Sequence, residues 1–219
     1  GSDKYADGCM FKPLRNESKR ISVMDSGFAF CSPYPLLLRP QRAVDILLSF
    51  DFSYRNEDLI VDKGTFKQLL KSEEWAKERL IPFPPVKEKI DEYLGMEIQE
   101  CYVFESSNDL FAPVILHFPL VNNKFRQYKS PGVLRSTDEE FKFSNFPCYG
   151  KGSGFGTFKF HYDSKEYNRL SQLMEFNTLL HKDTIMQTIK NSIIKKKQGR
   201  KLGLNEISRI LMWQTLNEN

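Results

Sequence analysis

One carboxylate and two guanidinium groups have a spacing that suits chemistry on a phosphate-bearing substrate. Asp25 follows the apolar residues Ile21 and Val23 and enters a Ser-Gly turn. Arg39 and Arg42 come 14 and 17 residues later. An acid at the end of a strand is well placed to act as a base, because ligands of open parallel sheets bind beyond the carboxyl ends of the strands. Arginine offers a planar fork of donors that matches phosphate oxygens. Such an acid needs a nucleophile, and we identify none in the sequence.

Each of these residues also has a structural interpretation. The triplet Asp25-Ser26-Gly27 is typical of a capped turn. Either arginine could instead neutralise a carboxylate of the following segment, where Asp45 and Asp51 are the candidates. Asp25 could also be the nucleophile of an unrelated phosphate-ester hydrolase, an alternative weakened by the lack of visible metal ligands. Residue types and spacing alone leave these alternatives open.

The composition is that of a folded, mildly basic chain. The 219 residues are 40% hydrophobic and 13% aromatic, with 18 phenylalanines. That is enough apolar material for a sizeable core in one domain or part of a larger one, and it argues against disorder. A net charge of +4 is too small to indicate nucleic-acid binding, and it suits weak attraction to an anionic membrane surface. No apolar run approaches the roughly 20 residues of a membrane span, and the polar start does not resemble a secretory signal.

The cysteines and histidines do not indicate a metal site. The three histidines share no ligand spacing, and the four cysteines lie far apart without a paired motif. We therefore expect no metal, and we expect free thiols, as is usual in a reducing cytosol. These residues are His117, His161 and His181, and Cys9, Cys31, Cys101 and Cys148.

Hydrophobic periodicity predicts strands mixed with helices, and therefore the α/β class. The run Ala43–Phe52 is nearly continuous and apolar, as in a parallel strand covered on both faces. Residues 122–156 are polar and predict a long irregular excursion. The predicted strands are Arg20–Met24, Ala43–Phe52, Glu100–Phe104, Val114–Phe118 and, at an edge, Thr157–Tyr162. The predicted helices are Thr65–Leu80, Tyr167–Leu180, Asp183–Lys197 and a short one over Asn205–Leu216.

A basic cluster, Lys195–Lys201, has three interpretations. It could be a nuclear signal or a patch for lipid headgroups. It could also be a set of cations at the carboxyl end of a helix, where positive charge is favourable. We favour the last, because it requires only the predicted helix.

A long block of this sequence resembles the group IV cytosolic phospholipases A2. The block opens with Asp25-Ser26-Gly27 and continues through PYPLLLRPQR and AVDILLSFDFS. Further segments are similar in the same order, and the resemblance covers nearly the whole chain after about residue 10. They read EEWAKERLIPFPPV, ECYVF, VILHFPLVNNKFRQYKSPGV and YNRLSQLMEFNTL.

The resemblance implies a patatin-like α/β lipase domain with a mostly parallel central sheet flanked by helices. Residues 1–219 would be its C-terminal portion, and Gly1-Ser2 is typical of a cloning remnant. The family uses a Ser/Asp dyad, in which Asp25 matches the aspartate. The family's serine lies in a G-x-S-G-S elbow that this sequence lacks, so we expect the nucleophile-bearing half to lie upstream and this chain alone to be inactive.

The resemblance also implies roles for cations and partners. Arg42 matches a family arginine linked to activity, and with Arg39 it would hold the substrate phosphate. Lys19 and Arg20 fall where the family binds anionic phosphoinositides, although Glu17 stands in place of a lysine. The implied reaction is hydrolysis of the sn-2 ester of a glycerophospholipid on intracellular membranes, reached from the cytoplasm. No cofactor is expected in this chain, with calcium acting through an N-terminal C2 domain outside it, and no nucleic acid is expected.

A second interpretation belongs to a different class of protein. The chain could be a non-catalytic lipid- or protein-binding module derived from this family, and a G-x-S-G-S elbow upstream would discriminate against it. In either case, the exposed edge of a partial sheet should pair with another surface, so dimerisation is a hypothesis.

Overall fold

A computed structural model describes residues 27, 30–39, 42–55, 58–62, 64–150, 152–156 and 159–201. Its helices are α1 (Tyr34–Leu37), α2 (Lys67–Lys77), α3 (Val86–Ile90), α4 (Asp138–Ser144), α5 (Ser164–Leu180) and α6 (Lys182–Lys201). Its strands are β1 (Ile46–Asp51), β2 (Tyr102–Phe104), β3 (Val114–Pro119), β4 (Tyr128–Ser130) and β5 (Val133–Leu134). Helices and strands are mixed along the chain, as predicted for the α/β class.

Strand β3 is the centre of a three-stranded sheet with the order β1-β3-β2. β1 runs parallel to β3, with Ser49 opposite His117. β2 runs antiparallel to β3, with Tyr102 also opposite His117. One pairing of each kind makes this sheet mixed, so the mostly parallel sheet that the resemblance implied is not what the described strands show.

Helices cover both faces of the central strand β3, which is buried along its whole length. Ile115 packs on one face in the main core, with Phe66, Leu69 and Val86 at or next to α2 and α3. Leu116 and neighbouring β3 residues pack on the other face, against Met174 of α5 and Ile185 of α6. The alternation along β3 therefore separates two layers of helices, which agrees with the predicted sheet flanked by helices.

Strand β1 is less covered than its sequence predicted. It is an edge strand among the described elements, and Leu48 and Phe50 are 47% and 40% exposed. The interpretation of a strand covered on both faces thus fits β3 but not β1 in the described residues. The hypothesis that this open edge pairs with another surface stays a prediction.

The segment between residues 122 and 156 is more regular than predicted. A 3-10 helix spans Lys124–Arg126, β4 and β5 form a small antiparallel hairpin, and α4 begins with a capping box. In that box Thr137 and Glu140 satisfy each other's backbone N–H groups. The strands have three and two residues, too few for a periodic pattern. The Thr-x-x-Glu spacing, in contrast, is a known sequence signature of a helix N-terminus.

Two predicted elements lie outside the described residues, namely the strand Arg20–Met24 and the helix Asn205–Leu216. The predicted edge strand Thr157–Tyr162 is wrong over its described part, since residues 159–162 have no strand and Phe160 is 90% exposed. Tyr162 instead packs against Phe155, with ring centroids 5.9 Å apart. Besides α4, two short helices, α1 and α3, were not predicted. Both begin at prolines, which the first turn of a helix tolerates.

Candidate functional site

Three of the predicted site residues, Asp25, Lys19 and Arg20, lie outside the described residues. The geometry of Asp25 with any partner is therefore not defined by the structure, and its role remains a prediction. The two predicted phosphate-binding residues, Arg39 and Arg42, are described, and they follow helix α1 in the chain.

Helix α1 is anchored in the main core. Tyr34 and Leu38 are buried, and the Tyr34 ring meets Phe83 edge-on at 5.8 Å between centroids. One residue later the chain turns, because the backbone N–H of Arg42 donates to the carbonyl of Arg39 at 2.9 Å. The structure thus places the backbones of the two predicted arginines close together just before β1.

The turn ends in an unusual backbone conformation. Ala43, directly after Arg42, has φ of 47°, in the left-handed region that side chains with a Cβ disfavour. Such conformations persist only where the surrounding structure imposes them. Here the conformation directs the chain from the two arginines into β1.

Replacement of Ala43 by glycine is therefore expected to stabilise the chain by about 0.5 kcal/mol, because glycine lacks the Cβ that is strained at this φ. Urea denaturation measures the change in the free energy of unfolding. Ala76→Gly in helix α2 is the matched control and should destabilise the chain by at least about 1 kcal/mol. An Ala43→Gly protein that loses stability to the same extent would contradict the expectation.

The carboxylates that could have paired with the arginines have other partners. Lys196 Nζ of α6 lies 2.8 Å from Asp45 Oδ2. Asp51 Oδ1 accepts from the backbone N–H of Ser53 at 2.8 Å, and its Oδ2 lies 4.0 Å from His117 Nε2.

The carboxyl end of β1 carries a polar cluster that we call the β1 end cluster. It consists of the half-buried Ser49 and the buried Asp51 and Arg55, together with the buried His117 of β3. His117 is fully buried, and its Nδ1 lies 3.3 Å from Ser49 Oγ. Arg55 Nη2 donates to the carbonyl of Leu120 at 2.6 Å. The cluster therefore connects the end of β1 to β3 and to Leu120, which follows β3.

Burial sets the charge state of this cluster. Removal from water lowers the pKa of His117 to about 4, although the charge of Asp51 opposes that shift. Burial also raises the pKa of Tyr34 above its usual value, with the charge of Asp51 adding to the effect. At neutral pH the imidazole is therefore neutral. His117 has no exposed surface, and its contact with Ser49 holds β1 against β3.

A second set of contacts holds the segment around residue 148 close to the same strand end. Asp58 Oδ1 accepts from the backbone N–H groups of Cys148 and Tyr149 at 2.8 and 3.2 Å. Its Oδ2 accepts from Arg126 Nη2 at 2.9 Å. The Arg55 guanidinium lies 4.5 Å from the centre of the Tyr149 ring, within cation–π range.

Sequence reasoning did not identify His117, Arg55 or Asp58. The signal for His117 was a single polar residue inside the apolar run VILHFP. Such a residue must find a partner when the strand is buried, and Ser49 opposite it provides one. Arg55 and Asp58 carried no comparable signal, since isolated charges after a strand are usually solvated.

The described cysteines Cys31, Cys101 and Cys148 are free, as expected. Burial raises the pKa of Cys101 to about 12, so this thiol stays protonated and is a poor nucleophile. Across the described ranges, histidine, cysteine and acidic side chains form no group of three or more that could hold a metal ion. None of the helices in the described part of the chain has the length and apolar character needed to cross a membrane.

The similar proteins found by comparison are cytosolic phospholipases A2. Cytosolic phospholipase A2 zeta of Mus musculus is 37% identical over 197 residues, which are 89% of this chain and 22% of that protein. The solved structure of human GIVD cytosolic phospholipase A2 matches with a TM-score of 0.68 and 26% identity, over 88% of this chain and 24% of that chain. Its complex with methyl gamma-linolenyl fluorophosphonate matches with a TM-score of 0.64, again at 26% identity, over 82% of this chain and 25% of that chain. No protein-family model matches.

Sequence and fold therefore agree on the class, a mixed α/β protein of the phospholipase A2 type. The chain belongs to the cytosolic phospholipase A2 family, as its resemblance implied. It spans about a quarter of the length of the relatives it matches. The roles of Asp25, Arg39, Arg42, Lys19 and Arg20 stay predictions.

Proposed function

We propose that this chain is the aspartate-bearing, C-terminal part of a phospholipase A2 that hydrolyses the sn-2 ester of glycerophospholipids. The observation that carries the proposal is the block from Asp25 to Ser53, within a chain 37% identical to a cytosolic phospholipase A2 over most of its length. One solved relative is a complex with methyl gamma-linolenyl fluorophosphonate. A fatty chain on an electrophilic phosphorus is chemistry that suits a hydrolase with a nucleophilic serine.

In this mechanism Asp25 is the base of a Ser/Asp dyad. It takes the proton of a serine on the upstream part of the protein as the serine oxygen attacks the sn-2 carbonyl carbon. Collapse of the tetrahedral intermediate breaks the ester bond, and the departing glycerol oxygen takes the proton from Asp25. Water then attacks the acyl-enzyme, passes its proton through Asp25 to the serine and releases the fatty acid.

Arg39 and Arg42 would supply the phosphate contacts. Arg42 is exposed and Arg39 is half-buried, and their backbone hydrogen bond holds the two residues adjacent. Two guanidinium groups on one turn offer enough donors for bidentate binding of a phosphodiester. Lys19 and Arg20 would add contacts to anionic lipid and keep the protein peripherally on intracellular membranes.

The edge of β1 that is open among the described strands would receive the nucleophile-bearing half of the domain. Leu48, Phe50 and Phe52 are exposed along or just after this edge, at 47%, 40% and 56%. Unpaired strand edges with apolar side chains are surfaces that another strand or layer normally covers. This arrangement would also place the serine on a neighbouring part of the same sheet.

The purified 219-residue chain is expected to release no fatty acid from phosphatidylcholine vesicles, because it supplies the base without the nucleophile. The measurement is release of labelled sn-2 fatty acid, compared with a protein that includes the upstream half. Activity in the chain alone that disappears in Asp25→Ala would contradict this expectation, since it would require a nucleophile within these residues.

A further inference from the structure

Helix α6 exposes apolar side chains and turns polar ones toward the protein. Thr188 is buried and Ser192, one turn later, is half-buried. Met186, Ile189 and Ile193 are 45%, 37% and 51% exposed. A surface helix of a soluble protein normally has the opposite arrangement. Apart from Ile185, which packs on the sheet, the described apolar residues of α6 face outward.

The polar inner face has a local explanation. It lines a cavity of about 620 Å³ between α6 and the sheet, where Val103 of β2 and Val114 of β3 form part of the opposite wall. Thr184, Thr188 and Asn191 are among the α6 residues that line it. The cavity thus accounts for the polar residues of α6, and it leaves the apolar outer face without an explanation.

Two lysines fasten α6 to the protein. Lys195 Nζ donates to the carbonyl of Asp109 at 3.1 Å, and Lys196 Nζ pairs with Asp45 Oδ2. These contacts fix the rotation of the helix about its axis. They therefore also fix which side chains point outward.

The outer face combines apolar and cationic residues. At 3.6 residues per turn, Met186, Ile189 and Ile193 form one line along the helix. Lys190 and Lys197 are exposed on the same side. The helix contains seven basic residues against the single acid Asp183. We call the surface formed by Met186, Ile189, Lys190, Ile193 and Lys197 the α6 outer face.

We propose that the α6 outer face is a docking surface for an anionic lipid bilayer. Isoleucine and methionine side chains can enter the boundary between headgroups and acyl chains, while lysines at their sides reach lipid phosphates with flexible stems. A helix with this many charges lies on a bilayer and does not cross it. Protein–protein interfaces are instead poor in lysine and rich in aromatic residues, and the α6 outer face contains no aromatic residue.

The proposal shares with the proposed function only the expectation that the protein works at a membrane. It assigns contact to a surface distant in sequence from Lys19 and Arg20. Vesicle binding by α6 would stand even if this chain had no part in catalysis. The two can therefore fail separately.

Co-sedimentation of the full 219-residue chain with vesicles tests the proposal. The vesicles contain either phosphatidylcholine alone or phosphatidylcholine with phosphatidylserine. The chain is expected to bind the anionic vesicles about tenfold more strongly, and added salt should weaken this binding. The variants I189N/I193N and K190Q/K197Q should each lower that binding about tenfold, because each removes one of the two contributions.

The matched control is Leu134→Asn with Lys77→Gln, which removes an exposed leucine (61% exposed) and an exposed lysine away from α6. It should bind as the unsubstituted chain does. Circular dichroism and thermal unfolding of every variant must match those of the unsubstituted chain for the comparison to apply.

Three results would overturn the proposal. The first is equal loss of binding in the control and the α6 variants. The second is unchanged vesicle binding in the α6 variants while K19Q/R20Q abolishes it, which would place membrane contact at the N-terminal cations instead. The third is a change in molar mass by light scattering in the α6 variants without a change in vesicle binding, which would identify the α6 outer face as a contact between protein copies.

Discussion

Replacement of Asp25 by alanine is expected to lower phospholipid turnover about 10⁴-fold in a protein that contains both this chain and the family's serine. Without the carboxylate, the serine hydroxyl keeps its proton and attacks the ester poorly. The effect should fall on kcat, because Asp25 acts on the reacting atoms while Arg42 is proposed to hold the phosphate. Release of sn-2 fatty acid at saturating lipid measures kcat, and its dependence on lipid concentration measures KM.

Arg42→Ala provides the contrasting variant. It should raise KM more than it lowers kcat, because a phosphate contact is made in the bound substrate as well as in the transition state. If Asp25→Ala kept kcat within a few-fold of the unsubstituted protein, the dyad assignment would be wrong. Another group of the protein would then have to serve as the base for the serine.

The sequence predicted the long elements well and most of the short ones poorly. The three-residue strand β2 is an exception, since it lies within the predicted strand Glu100–Phe104. Helices α2, α5 and α6 and strand β3 lie close to their predicted positions, because each has enough residues to display its period. Strands of two or three residues, such as β4 and β5, have no measurable period. Their hairpin depends on contacts made after the chain folds.

The site residues also differ in how far the sequence predicted them. Spacing alone left Asp25 as a plausible turn residue, and the long similar block assigned it a catalytic role. The β1 end cluster could not be predicted, since Ser49 and His117 are 68 residues apart and meet only through the register of β1 on β3. Register depends on the whole sheet, and a one-residue shift would reverse the direction of every side chain.

Helix α6 illustrates a further limit of sequence patterns. Periodicity identified the helix and its apolar residues, but a pattern does not say which face meets the protein. The rotation of α6 is set by Lys195 and Lys196, whose partners are 86 and 151 residues away. The sequence favoured a simple helix end for these lysines. The structure gives both of them structural contacts and leaves Lys190 and Lys197 on the outer face.

The buried His117 is expected to make the chain lose about 3 kcal/mol of stability as the pH falls from about 6.5 to about 4. Burial lowers the pKa of His117 in the folded chain, so the unfolded chain binds a proton at a higher pH than the folded chain does. The stability that the neutral His117 contributes is therefore fully present above the pKa of the unfolded chain. It is lost progressively as the pH falls from about 6.5 to about 4. The charge of Asp51 opposes the shift and that of Arg55 adds to it, but burial dominates both.

Urea denaturation across this pH range measures the loss, and NMR titration of the imidazole reports the pKa of His117 directly. His117→Asn should flatten the profile, because asparagine has no proton to gain. His181→Gln is the matched control, since burial also lowers the pKa of this half-buried histidine but more of it remains in contact with water. It should keep most of the slope. A steep profile that survives His117→Asn and disappears in His181→Gln would transfer the pH dependence to the residue between α5 and α6.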